Sequence, residues 1–89
     1  MDGEISRIEL GNELDLHHFH PGDVKELVHD FIGNARQRGA GEVRIVHGKG
    51  MSVIKSIVIS ELEKDANILS FREEPGNWGA MLVRIKPGV

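Results

Sequence analysis

The spacing of apolar residues changes along this chain from two to about four and back, and that alternation confines it to a mixed α/β fold. In "ELDLH" (Glu13 to His17), Leu14 and Leu16 alternate with Glu13, Asp15 and His17, as on a strand with one buried face. From Pro21 to about Arg38 the apolar positions are Val24, Leu27, Val28, Phe31, Ile32 and Ala35, one stripe of a helix. Pro21 suits its first turn, and Gly39 behind Arg36 and Arg38 suits its end. "EVRIV" (Glu42 to Val46) returns to period two. Val53, Ile54, Ile57, Val58 and Leu62 then define a second helix from about Ser52 to Lys64. Its β-branched residues would also suit a strand, but the stripe repeats at four. "NILSFREE" reads as a strand and "PGNWG" as a connecting loop. "AMLVRIK" is the last strand, with Met81, Val83 and Ile85 on one face and Leu82, Arg84 and Lys86 on the other. Residues 1–12 carry Ile5, Ile8 and Leu10 in a weaker pattern, an N-terminal arm or short edge strand before a domain over residues 13–89.

Right-handed crossovers make the first strands parallel and put both helices on one side. The last two strands pair as a hairpin. The expected fold class is therefore a two-layer α/β sandwich with a mixed sheet. That sheet has four strands, or five if the N-terminal segment joins it. A length of 89 residues makes one domain. The absence of cysteine excludes disulfides and thiolate metal sites. No apolar run is long enough for a bilayer and no signal pattern opens the chain, so a cytoplasmic location is expected. The formal charge of -3 argues against a strong grip on nucleic acid by net charge and leaves room for a local basic face.

Two strands end in histidine, "LDLH" and "RIVH", at what become the carboxyl ends of parallel strands, where open α/β sheets build their sites. Asp15 shares a face with His17, a pairing suited to acid–base chemistry or to one side of a divalent-metal site. A D-x-H triplet alone equally describes a turn cap or an ion pair. "HGKG" (His47 to Gly50) leads into a helix whose first amides are unpaired, and Lys49 adds a full charge. It is a candidate phosphate cradle, or else a tight turn with an exposed lysine. It is neither a Walker loop nor a G-x-G-x-x-G site. His18 and His20 read as loop residues and His29 as a surface residue. Parity puts Asp15, Arg44 and Arg84 on the open sheet face, with Lys86 near its end. That strip tracks a phosphate backbone or is simply solvated. Trp78, the single tryptophan, either closes one end of the core or stacks on a base.

The succession "LDLH", helix, "IVHGKG", helix, "GNWGAMLVRI" resembles the Smr (small MutS-related) domain from about Glu13 to Lys86. The family's L-D-L-H-G motif is matched at Leu14, Asp15, Leu16 and His17, with His18 in place of the glycine. Its H-G-x-G motif is complete at His47, Gly48, Lys49 and Gly50. Its G-G-x-G-A-T motif appears at Gly76 to Met81 with one glycine fewer, and with Met81 where threonine is usual.

The resemblance implies a two-layer α/β sandwich and a nucleic-acid-binding domain with endonuclease activity on DNA or RNA. It makes Asp15 and His17 the catalytic pair, with magnesium or manganese as candidate ions held by the same two residues. His47, Gly48, Lys49 and Gly50 would bind phosphate, and Gly79 would let the last strand approach the substrate. Arg44, Trp78 and Arg84, singled out above by parity and residue type, are the further candidate nucleic-acid contacts. The alternatives are a binding module for DNA or RNA without chemistry, and a protein-interaction module that docks on a ribosome or a MutS-like partner.

Overall fold

The structure, a computed structural model, describes residues 12–50 and 52–87. The elements in order are β1 (Glu13–Asp15), α1 (Pro21–Gln37), β2 (Glu42–Val46), α2 (Ser52–Lys64), β3 (Ile68–Glu74) and β4 (Asn77–Ile85). They form one four-stranded sheet in the order β1-β2-β4-β3. β1 runs parallel to β2, while β4 is antiparallel to both of its neighbours. The edge strand expected before Asn12 lies outside the described residues.

The sheet has one dry face because strand parity and helix periodicity agree. Leu16, Val43, Ile45, Met81, Val83 and Ile85 point to the helices and form one cluster with Val24, Val28, Ile32 and Ala35 of α1 and Ile54, Val58 and Leu62 of α2. Each of these side chains larger than alanine contributes about 1.5–3 kcal/mol by leaving water. α1 and α2 also pack on each other, so both lie on the same side. The two-layer sandwich is as expected.

Local chemistry fixes the ends of α1. Pro21 occupies its first turn, where a missing N–H costs nothing. At its other end Gly39 adopts φ 81°, a left-handed angle that glycine takes readily. Its amide donates to the Arg36 carbonyl at 3.1 Å, and the Ala40 amide donates to the Ala35 carbonyl at 2.9 Å, closing the helix.

Three boundaries and one face differ from the sequence reading. β1 stops at Asp15 rather than His17, because the Asp15 carboxylate accepts the His17 amide at 3.1 Å and turns the chain. β4 begins at Asn77 rather than Ala80. The hairpin loop needs only Pro75 and Gly76, the latter at φ 79°, and Asn77 already pairs with Glu74. Lys86 lies past the end of β4, although its amide still donates to the Asn67 carbonyl at 2.7 Å. On α2, Val53 is 60% exposed, and the buried stripe is Ile54, Val58 and Leu62.

That stripe makes a direct test. Ile54→Ala should cost about 2–5 kcal/mol, as for other buried aliphatic truncations. Val53→Ala, one residue away, should stay within about 0.5 kcal/mol of the parent. Urea denaturation of both variants checks the alignment.

Candidate active site at the carboxyl ends of the parallel strands

β1 and β2 are parallel with Asp15 opposite Val46, so their carboxyl ends lie side by side. β4 is antiparallel to β2 with Ala80 opposite Val46, so its first residues arrive at the same end. The topology thus gathers Asp15, His17, the 47–50 loop, Trp78 and Gly79 from three distant stretches of sequence.

Asp15 and His17 form a closed pair. The His17 ring Nδ1 lies 2.5 Å from Asp15 Oδ1, and the same oxygen accepts the His17 amide. Partial burial pushes the Asp15 carboxyl up. The hydrogen bonds from the His17 ring and amide, with the charges of His17 and His18, outweigh that and hold it below the ordinary carboxylate value. An ionised Asp15 requires the Nδ1 proton on His17, which leaves the ring Nε2 as the basic atom. Both side chains are about half exposed. The His18 ring lies against His17 with centroids 3.7 Å apart. Sequence reasoning treats His18 as a plain loop residue, because neighbours on a strand point to opposite faces. The strand has already ended, and a turn lets the two rings meet.

The glycine loop is held from beneath by β4. The Gly79 carbonyl accepts two amides, those of His47 and Gly48, both at 2.9 Å. Gly79 can be nothing larger. A Cβ there would stand 2.9 Å from the Lys49 amide nitrogen, 3.0 Å from its Cγ and 3.3 Å from the Gly48 carbonyl carbon. The glycine therefore admits the loop backbone, and the Asn77 side chain fixes it by accepting the Gly79 amide at 3.0 Å. Gly48 and Gly50 turn the loop with φ 93° and 75°.

This bonding narrows the expected phosphate cradle. The amides of His47 and Gly48 are already used, and the His47 ring is only 1% exposed. Its Nδ1 donates to the Gly48 carbonyl at 3.1 Å, while Nε2 is buried with no partner among the described residues. His47 is therefore a support for the loop rather than a group presented to a ligand. Lys49 and Gly50 are the exposed members, and their amides have no backbone partner among the described residues. The first turn of α2 behind them carries no acid.

Arg44 also departs from the sequence reading. Its guanidinium donates to Glu13 at 2.5 Å and to Glu74 at 2.9 and 3.0 Å. The hydrogen bond it donates to Glu74 raises its pKa, burial opposes this, and the charges of Glu74 and Glu13 add to it, with a net rise. The guanidinium is committed to two carboxylates, so the middle of the open face is slightly acidic rather than a basic strip. Arg84 is exposed on that face as expected. Trp78 does not close the core: it is 61% exposed, with Lys49 Nζ 5.7 Å from its ring centroid. Lys55 on α2 pairs with Glu73 on β3 and holds that carboxyl below its ordinary value.

No group of three or more metal-ligating side chains forms among the described residues. Asp15 and His17, the two residues expected to hold an ion, are hydrogen-bonded to each other. The donor set does not make a resident metal centre. No helix among the described residues is long and apolar enough to cross a membrane.

Fold and site together define a small α/β sandwich that presents an Asp–His pair and a glycine loop at one end of its sheet. The Smr domain family model matches residues 14–86, and the chain belongs to that family. It is 29% identical over 83 residues to endonuclease MutS2 of Gemmatimonas aurantiaca, covering 93% of this chain and 10% of that protein. To endonuclease MutS2 of Helicobacter pylori it is 31% identical over 77 residues, covering 86% and 10%. The chain thus spans a tenth of the length of these relatives. The Smr domain of Thermus thermophilus MutS2 superposes with a TM-score of 0.80 at 26% identity, covering 85% of this chain and 99% of that one. The stand-alone small MutS-related protein YdaL of Escherichia coli has the same fold. Its TM-score is 0.84 at 23% identity, covering 93% of this chain and 70% of that one.

Two outcomes are expected from the loop. Gly79→Ala should destabilise the domain by about 1–3 kcal/mol, because backbone atoms must move to admit the methyl group. Thermal unfolding reads this. The second concerns pH. Burial lowers the His47 pKa, the Gly48 carbonyl opposes this, Lys55 lowers it further and Glu73 raises it, with a net fall. The unfolded chain therefore takes up this proton at higher pH than the folded one, and stability falls as pH drops below about 6.5. The loss ends once the folded pKa is passed. A His47→Gln variant should lose less stability than the parent between pH 7.5 and pH 5, as judged from urea midpoints.

Proposed function

We propose that the domain binds nucleic acid and hydrolyses a phosphodiester bond at the end of β1 and β2. The observation that carries this reading is the 2.5 Å contact between Asp15 and His17 beside the glycine loop. In this mechanism Asp15 fixes the His17 ring by accepting from Nδ1, and Nε2 takes a proton from a water molecule. The water oxygen attacks phosphorus as the bond to the leaving oxygen breaks. The leaving oxygen regains a proton from the imidazolium. Lys49, the exposed loop amides and the first turn of α2 face the phosphate and offset its growing charge. The endonuclease names of the MutS2 relatives support this class of activity.

A second reading is a binding module without chemistry, and one observation favours it. The His18 ring occupies the place of the motif glycine and lies 3.7 Å from the ring that would act as base. The two readings separate in one assay on supercoiled DNA and on structured RNA, each with magnesium, manganese or EDTA. The native domain should nick or cut, and Asp15→Ala and His17→Ala should each lose about 10²–10⁴-fold, the usual weight of a positioned acid–base group. Cleavage that persists in both variants sinks the assignment. Binding that weakens with salt while the native domain yields no product supports the second reading.

A further inference from the structure

We propose that Trp78 is a stacking platform for an unpaired nucleobase, so that the substrate is single-stranded where the domain grips it. This rests on the nucleic-acid reading above and names the substrate form that the same site selects.

Trp78 lies on β4 with Ala80, Leu82 and Arg84 on the face away from the helices, the face that also carries Asp15. Asp15, Val46 and Ala80 stand in one row across β1, β2 and β4. Two strand spacings are about 10 Å. Trp78 sits one pleat repeat beyond Ala80, toward the glycine loop. The loop is therefore flanked by the Asp15–His17 pair on one side and by the indole on the other.

The ring is built to stay exposed. It is 61% in solvent, the largest exposure among the large apolar side chains described. Lys49 Nζ stands 5.7 Å from its centroid, a cation–π distance. The absence of a side chain at Gly79 lets the Lys49 backbone lie close to the strand that carries Trp78. An ammonium and an indole held together match two neighbouring parts of one nucleotide, the phosphate and the base. An internal base of a duplex has both faces covered by its neighbours, whereas an unpaired base offers a free face to an aromatic ring.

Charge points the same way. A chain of net charge -3, whose central Arg44 is held by Glu13 and Glu74, has little with which to hold a duplex by phosphates alone. Stacking needs no net charge and takes any base of DNA or RNA.

The protein carries its own probe, since Trp78 is the single tryptophan and tyrosine is absent. The intrinsic fluorescence of an Asp15→Asn chain is titrated with single-stranded DNA, single-stranded RNA and a blunt DNA duplex. That variant keeps the indole and lacks the carboxylate that orients the proposed base, so a failure of the cleavage chemistry leaves the stacking result readable. Single strands should quench the indole and the duplex should not, and the DNA and RNA arms show whether the sugar matters. With labelled strands followed by anisotropy, Trp78→Ala should weaken binding roughly 5- to 150-fold and Trp78→Phe should restore much of it. The slope of affinity against salt should be unchanged in Trp78→Ala and shallower in Lys49→Ala. Equal quenching by the duplex, or single-strand affinity unchanged in Trp78→Ala, overturns the proposal.

Discussion

The site depends on one carbonyl group. The Gly79 oxygen takes the amides of both His47 and Gly48, and the missing side chain at Gly79 lets the loop backbone lie against β4. The antiparallel ladder between β2 and β4 is thereby carried past the end of β2 into the loop. Lys49 follows directly on the two held residues, and Trp78 precedes Gly79 on the strand that holds them.

Support and contact are divided between like residues. Two histidines end the two parallel strands, yet one is buried under the loop and the other is half exposed beside Asp15. Burial holds the His47 pKa down, and the hydrogen bond to the Gly48 carbonyl ties the ring to the loop. A carboxylate orients His17, which is left half open to solvent. The chemistry of each imidazole is set by what surrounds it rather than by the motif in which it sits.

Much of this was legible in the chain. Periodicity alone specifies strand, helix, strand, helix and hairpin, because each element buries one face. The strand ends and glycine loops mark where a site belongs. What stayed hidden needs register. Glycine breaks the visible alternation in "NWGA", so β4 looks shorter than it is, and the parity of Trp78 with Ala80 and Leu82 goes unread. The Arg44 partners come from β1 and β3, and no local pattern announces them. The end of β1 is misread for the opposite reason: a clean alternation continues to His17, past the point where the Asp15 side chain ends the strand. The burial of His47 follows from Gly79, which lies more than thirty residues later in the chain. Its glycine is visible in the motif, but the reason for it is spatial.

The Arg44 clamp has a consequence of its own. Glu13 stands opposite Arg44 on the neighbouring strand, and Glu74 reaches it from the far edge, so one guanidinium joins residues from both margins of the sheet. If β2 slid by one position, every side chain on it would change faces. Val43 and Ile45 would turn to water, and Arg44 would be driven under the helices without its acids. The bare side of the sheet thus adds a penalty of its own to a misaligned pairing that the covered side already disfavours.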